Sequence, residues 1–195
     1  MSDPLTAATA GVRALLFDLD GTLADTGAAN HVAYAQALAE VGVEVDRATF
    51  ARVADGRNWR QFLPELLSGA GVATDPAAVA RRKAELYPQA IAELRLNAPL
   101  LALAAAARAT MRTALVTTAS GANARAVLDR HQLAPLFDVV VTGDDVTHHK
   151  PAPEAYLLAT DRLGVRPDEC LAFEDSEIGV ASAQAAGVPV VRVML

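Results

Sequence analysis

The chain has 195 residues, long enough to bury a sizeable core as one domain or as one domain carrying an insertion. Hydrophobic residues make up 52% and charged residues 21%, a globular composition, and 17 basic against 23 acidic residues give a formal charge of -6, which disfavours a nucleic-acid-binding surface. The single cysteine, Cys170, excludes an internal disulfide and any cysteine-based zinc site.

In chain order, residues 1 to 11 are small and polar and read as a loose lead-in; with Asp3 and Pro4 and no basic n-region they are not expected to act as a signal peptide. The longest apolar stretch, Leu100 to Ala107, falls short of the roughly 20 residues of a membrane span. A soluble cytoplasmic protein, monomeric or weakly dimeric and with no membrane or nucleic-acid partner, is the expectation.

The apolar run Val12 to Phe17 reads as a buried strand that stops at Asp18-Leu19-Asp20-Gly21-Thr22. Beyond the carboxyl ends of strands in a parallel sheet lies the space where ligands bind, so acids leaving a strand there face a site. Residues i and i+2 of an extended chain share a face, so Asp18 and Asp20 can point at one ligand, and Gly21 permits a tight turn after them. Two carboxylates so close repel unless a shared proton or a metal ion intervenes. An isolated Asp-x-Asp also fits a solvated Asx turn.

After Thr26 the periodicity becomes helical. Val32, Ala35, Leu38 and Ala39 recur at helical spacing up to Gly42, and further helices are expected at about Asp46 to Ala54, Trp59 to Leu67 and Pro76 to Leu94. The chain thus divides into a core of residues 1–26 and 95–195 and a helical segment of residues 27–94. Placed directly after the paired acids Asp18 and Asp20, that segment is either a mobile lid over the site or a subdomain that packs on the sheet. Within it, Gly56-Arg57-Asn58-Trp59-Arg60 and Lys83-x-x-x-Tyr87 carry cations that could reach an anionic ligand or stand as exposed helix charges.

From residue 97 helices and strands alternate: helices at about 98–109, 122–131, 153–163 and 179–186, strands at 113–116, 139–141, 171–173 and 188–193. Alternation of this kind specifies βαβ units and a Rossmann-like, doubly wound parallel sheet, an α/β fold. Three more strand ends are polar. Thr117 and Thr118, followed by Ala119-Ser120-Gly121 at a helix start, offer hydroxyls and amides to an anion, and Ser120 also fits an N-cap. Lys150 precedes Pro151, which holds it extended, so its ammonium can be aimed at a fixed point, although loop lysines are normally exposed. His148 and His149 read as polar loop residues. Glu174 and Asp175 at the end of a buried strand are costly unless they coordinate something, and oxygen ligands suit Mg²⁺. Asp18, Asp20, Glu174 and Asp175 would then converge, with Lys150 offsetting part of their charge.

In their order and at successive strand ends, Asp18-x-Asp20-Gly21-Thr22, Thr117, Lys150-Pro-x-Pro153 and Glu174-Asp175 resemble the four motifs of the haloacid-dehalogenase-like hydrolase superfamily, from Val12 onward. The resemblance implies a nucleophile, Asp18, that forms an aspartyl-phosphate, a general acid/base, Asp20, and a phosphoryl-binding hydroxyl on Thr117, with Thr118 and Ser120 beside it. It makes Lys150 the balancing cation. Mg²⁺ would be held by Asp18, the backbone carbonyl of Asp20, and Glu174 and Asp175. The helical segment resembles the superfamily's first class of cap, and its Arg and Lys segments look like those of the β-phosphoglucomutase and sugar-phosphate phosphatase branch. There Arg60 and Lys83 would grip the substrate, with His31 near the acid/base. His31 departs from the branch pattern: it stands six residues after Asp25, and Asn30 takes the usual fifth position. The implied activity is Mg²⁺-dependent hydrolysis of a small phosphorylated metabolite, of the sugar or polyol phosphate type. A phosphosugar mutase and a non-catalytic phospho-ligand-binding module are the alternatives; the shifted His31 favours the phosphatase, and an acid/base beside a nucleophile speaks against a pure binder.

Overall fold

The computed structural model describes residues 11–54 and 56–195, so the expected lead-in lies outside the described residues up to Ala10. Five strands, β1 (Ala14–Phe17), β2 (Arg112–Val116), β3 (Val139–Val141), β4 (Cys170–Glu174) and β5 (Val190–Arg192), form one parallel sheet in the order β3-β2-β1-β4-β5. The Rossmann-like α/β fold expected from the alternation is the fold observed. β1 is central, and its register sets Phe17 beside Leu115 on one side and Phe173 on the other. All four of its residues are buried, as a strand covered on both faces requires. Alternation sorts them: Leu15 and Phe17 enter one apolar layer with Leu115, Phe137 and Phe173, while Ala14 and Leu16 enter the other with Val116, Tyr156 and Val188.

Between β1 and β2 run α1 (Gly27–Ala39), α2 (Arg47–Ala54), α3 (Trp59–Gly69) and α4 (Pro76–Ala90), followed by α5 (Ala98–Ala107) against the sheet. The first four have an apolar cluster of their own, in which the rings of Tyr34, Phe50 and Phe62 pack with centroids 5.3 to 5.8 Å apart. The remaining crossovers are α6 (Gly121–Arg130), α7 (Glu154–Leu163) and α8 (Glu177–Ala185).

Two boundaries differ from expectation for tertiary reasons. α4 stops at Ala90 rather than Leu94, because the chain must turn there for Leu96 to bridge back, antiparallel, to Ala24. β4 runs on to Glu174, which pairs in register with Arg192, so the first of the two acids is itself the last residue of a strand.

Candidate active site

Because every strand of the sheet runs the same way, their carboxyl ends share one edge, and the chemistry collects there. Asp18 leaves β1 with its amide on the Phe173 carbonyl (3.1 Å), and Thr117 leaves β2 with its amide on the Val141 carbonyl (3.0 Å). Asp18, Glu174 and Asp175 each bring a carboxylate oxygen within 4.8 Å of the others. Lys150 is buried among them, and its Nζ donates to Asp18 Oδ1 at 2.8 Å, to Glu174 Oε1 at 2.5 Å and to the Val116 carbonyl at 2.9 Å. The Tyr156 hydroxyl donates to the same Glu174 Oε1, also at 2.5 Å.

The electrostatics follow from that packing. Burial pushes the Asp18 carboxyl well above its ordinary range, Glu174 adds to the rise, and Lys150 opposes it. Burial alone would depress Lys150, but the Asp18 and Glu174 carboxylates outweigh it and hold the ammonium well above its ordinary value. Asp175 is raised by burial and then by Glu174. Three carboxylates against one ammonium leave excess negative charge, and Glu174 Oε2 is buried without a hydrogen-bond partner. An all-oxygen donor set with an unfilled acceptor and surplus negative charge fits a hard divalent cation. Gly21 makes the cluster possible: its φ is 86°, and a Cβ there would collide with the Asp175 carboxylate.

Asp20 corrects the expectation of four converging carboxylates. Its side chain stands outside the cluster of three. Oδ1 accepts from the Thr26 hydroxyl and from Asn30 Nδ2 (3.3 Å), and Oδ2 from the Thr117 hydroxyl (3.2 Å). The turn at Gly21 ends the extended geometry on which convergence depends, and hydroxyls from the start of α1 and the end of β2 take the oxygens instead. Thr117 Oγ1 also accepts the Ala119 amide at 3.0 Å, and Ser120 caps α6 by accepting the Asn123 amide at 3.4 Å.

Above Asp18, between this edge and helices α1 to α4, lies a cavity of about 350 Å³. The core contributes Asp18, Asp20, Lys150, Asp175, Thr118 and Ser120; the helical segment contributes Tyr34, Arg47, Phe50, Arg57, Trp59, Phe62 and Lys83. Arg60 and His31 are not among the residues that line it. The Arg60 guanidinium is taken by Asp144 at 3.0 Å and lies 4.5 Å from the Trp59 ring centre. One residue is about 100° of rotation around a helix, and the shift carries His31 to the Val45 carbonyl (3.0 Å) and the Phe50 ring. Arg57 lines the cavity but holds Glu65 at 2.8 and 3.0 Å. Lys83 lines it from a buried position: Nζ donates to Asn30 Oδ1 at 2.8 Å, 3.3 Å from the Tyr87 ring centre and 5.0 Å from that of Tyr34. Burial pulls its ammonium down to about 7, opposed by Asp20.

Thr26, Asn30, Arg47 and Tyr156 join the site without having been singled out for it. Thr26 and Asn30, four residues apart at the start of a helix that follows Asp20, carry a readable signal; Tyr156, within α7, carries none.

No helix among the described residues is long and apolar enough to cross a membrane. The haloacid dehalogenase-like hydrolase family model matches residues 12–187. The fructose-1-phosphate phosphatase YqaB of Escherichia coli (strain K12) is 34% identical over 183 residues, 93% of this chain and 96% of that protein. Protein CbbY of Rhodobacter capsulatus is 35% identical over 191 residues, 92% of this chain and 84% of its own length. Among solved structures, CbbY from Rhodobacter sphaeroides in complex with phosphate superposes with a TM-score of 0.88 at 30% identity, covering 94% of this chain and 87% of that one.

Proposed function

Since the chain belongs to the haloacid dehalogenase-like hydrolase family, we propose that it is a Mg²⁺-dependent phosphatase of a small phosphorylated sugar or polyol, working through a phosphorylated Asp18. The observation that carries the reading is the carboxylate cluster of Asp18, Glu174 and Asp175, tied to Lys150 and set beneath a cavity. The relative that acts on fructose 1-phosphate and the phosphate-bound neighbour support the substrate class. A cavity of about 350 Å³ is at the small end of ligand pockets.

Residues 27–94 act as a cap over a core of residues 1–26 and 95–195, and the cap supplies the cavity's aromatic and cationic wall. Asp18, the Asp20 backbone carbonyl, Glu174 and Asp175 would hold Mg²⁺, which would supply Lewis-acid stabilisation of the phosphoryl oxygens. Lys150 opposes the rise that burial imposes on Asp18 and holds its carboxylate in place. Asp18 attacks phosphorus in line as the ester bond breaks, which divides one difficult displacement into two easier ones. The Thr117 hydroxyl, turning from Asp20, and the amides of Thr118 and Ser120 receive the equatorial oxygens, while the Ala119 amide stays on Thr117 Oγ1. Asp20, held by Thr26 and Asn30, gives its proton to the leaving oxygen and then takes one from the water that hydrolyses the aspartyl-phosphate.

The test is phosphate release from a panel of phosphorylated sugars, polyols and glycolate, with Mg²⁺ or EDTA, for wild type and Asp18→Asn. Release that needs both the metal and Asp18 supports the proposal; release that survives EDTA, or none on any substrate from folded protein, refutes it.

A further inference from the structure

The turn between α2 and α3, with the first turn of α3, touches the core after three strands. Gly56 lies against Ser176 and Ile178 after β4, Arg60 pairs with Asp144 after β3, and Asn58 reaches the loop after β2. Asn58 stands apart from the others because its side chain is almost wholly buried, at 1% exposure, and its two halves serve different segments. Oδ1 accepts the Arg60 amide at 3.0 Å and caps α3, while the Asn58 amide donates to Gln61 Oε1 at 2.9 Å. Nδ2 donates to the Thr118 carbonyl at 2.6 Å. An N-cap needs only the oxygen, for which Ser, Thr or Asp serves as well. The nitrogen makes a separate connection, between the helical segment and the core.

The loop it grips is held from the core by the Ala119 amide on Thr117 Oγ1 (3.0 Å) and by the Gly143 amide on the Ala119 carbonyl (2.8 Å). Gly143 also leaves the passage through which Asn58 enters: a Cβ there would collide with both Asn58 Nδ2 and the Thr118 oxygen. The contact is therefore built from both sides, by a donor on the helical segment and by an absent side chain on the core.

We propose that Asn58 is a positioning residue: through Nδ2, the seating of the helical segment completes the order of the 117–120 loop. This rests on the reading of that loop as the phosphoryl-binding element. Closure over a substrate and the setting of the loop then become one event, so the loop is fully formed only when the site is covered.

Two variants approach the contact from opposite sides. Asn58→Asp keeps the capping oxygen and replaces the donor with an oxygen facing a carbonyl; Gly143→Ala fills the passage from the core and adds no charge. Amide hydrogen exchange on the full chain reads the contact whether or not a substrate is known. In both variants the Ala119 amide, and in Asn58→Asp the Gly143 amide as well, is expected to exchange about tenfold faster, as the loss of one good hydrogen bond allows, while those of β1 and α1 keep wild-type rates. On any panel substrate that wild type hydrolyses, kcat falls in both variants, and Arg82→Ala, which breaks exposed ion pairs within the helical segment, leaves it unchanged. Wild-type exchange at Ala119 in either variant, or protection lost evenly across the sheet, overturns the proposal. An inactive wild type would refute the phosphatase reading alone, and the exchange rates would still decide the contact.

Discussion

Lys150 in the core and Lys83 in the helical segment are both almost wholly removed from solvent, at 2% and 1% exposure, yet their surroundings differ in kind. Lys150 meets two carboxylates, a carbonyl and, 5.2 Å away, the Tyr156 ring, and it stays charged. Lys83 meets one carboxamide oxygen and the faces of Tyr87 and Tyr34, and burial brings its ammonium to about 7. Ring faces attract a cation but replace little of its hydration, whereas a carboxylate in contact repays most of the cost of burial. The core therefore uses its buried lysine as fixed charge, and the helical segment uses its own as a donor whose charge responds to pH near neutrality.

The largest effects are expected where the core's balance is broken. Asp18→Asn should lower turnover by about 10⁴-fold or more, measured by phosphate release, because the nucleophile is gone. The same variant should raise the metal-free melting temperature at neutral pH. Asp18's folded pKa lies above its unfolded one, so its ionisation costs stability as pH rises through that window, and Asn removes the cost. Next comes Lys150→Met, which strands two buried carboxylates and should cost about 3–5 kcal/mol in urea unfolding.

The helical segment should respond differently. Lys83's folded pKa of about 7 lies below its ordinary 10.5, so between those values the unfolded chain binds more protons and stability rises with pH. Lys83→Met should flatten that rise between pH 7 and about 9, read as the shift in urea midpoint; a slope equal to wild type would erase the contrast with Lys150. Arg60→Ala should change stability least, by under about 1 kcal/mol, since it breaks a single ion pair between half-exposed side chains.

The same contrast explains what could be read from the sequence. Apolar runs ending in Asp18, Thr117 and Glu174 are legible as strand ends, and parallel topology alone brings strand ends to one edge, so the core cluster and the sheet follow from pattern. Lys150 was legible only from its place before Pro151 and from the resemblance. Asp20 was misplaced because the backbone turn at Gly21 decides where its carboxylate goes, and no spacing rule encodes that. In the helical segment periodicity fixes which faces are apolar but not which cation finds an acid: Arg60 is claimed by Asp144, 84 residues away, and Lys83 is enclosed by rings from two helices. Asn58 was not singled out in the sequence; it caps α3, and its second bond depends on the absence of a side chain at Gly143, on a different loop.

The central claim is that Asp18 carries the phosphoryl group. Its most direct test is to react wild type and Asp20→Asn with p-nitrophenyl phosphate and Mg²⁺, quench in acid within the first turnovers, and locate the phosphoryl group by mass spectrometry of the peptide containing residues 14–26. Phosphoryl on Asp18, transient in wild type and accumulating in Asp20→Asn, is the expected result. Turnover with Asp18 unmodified in both proteins would contradict the account.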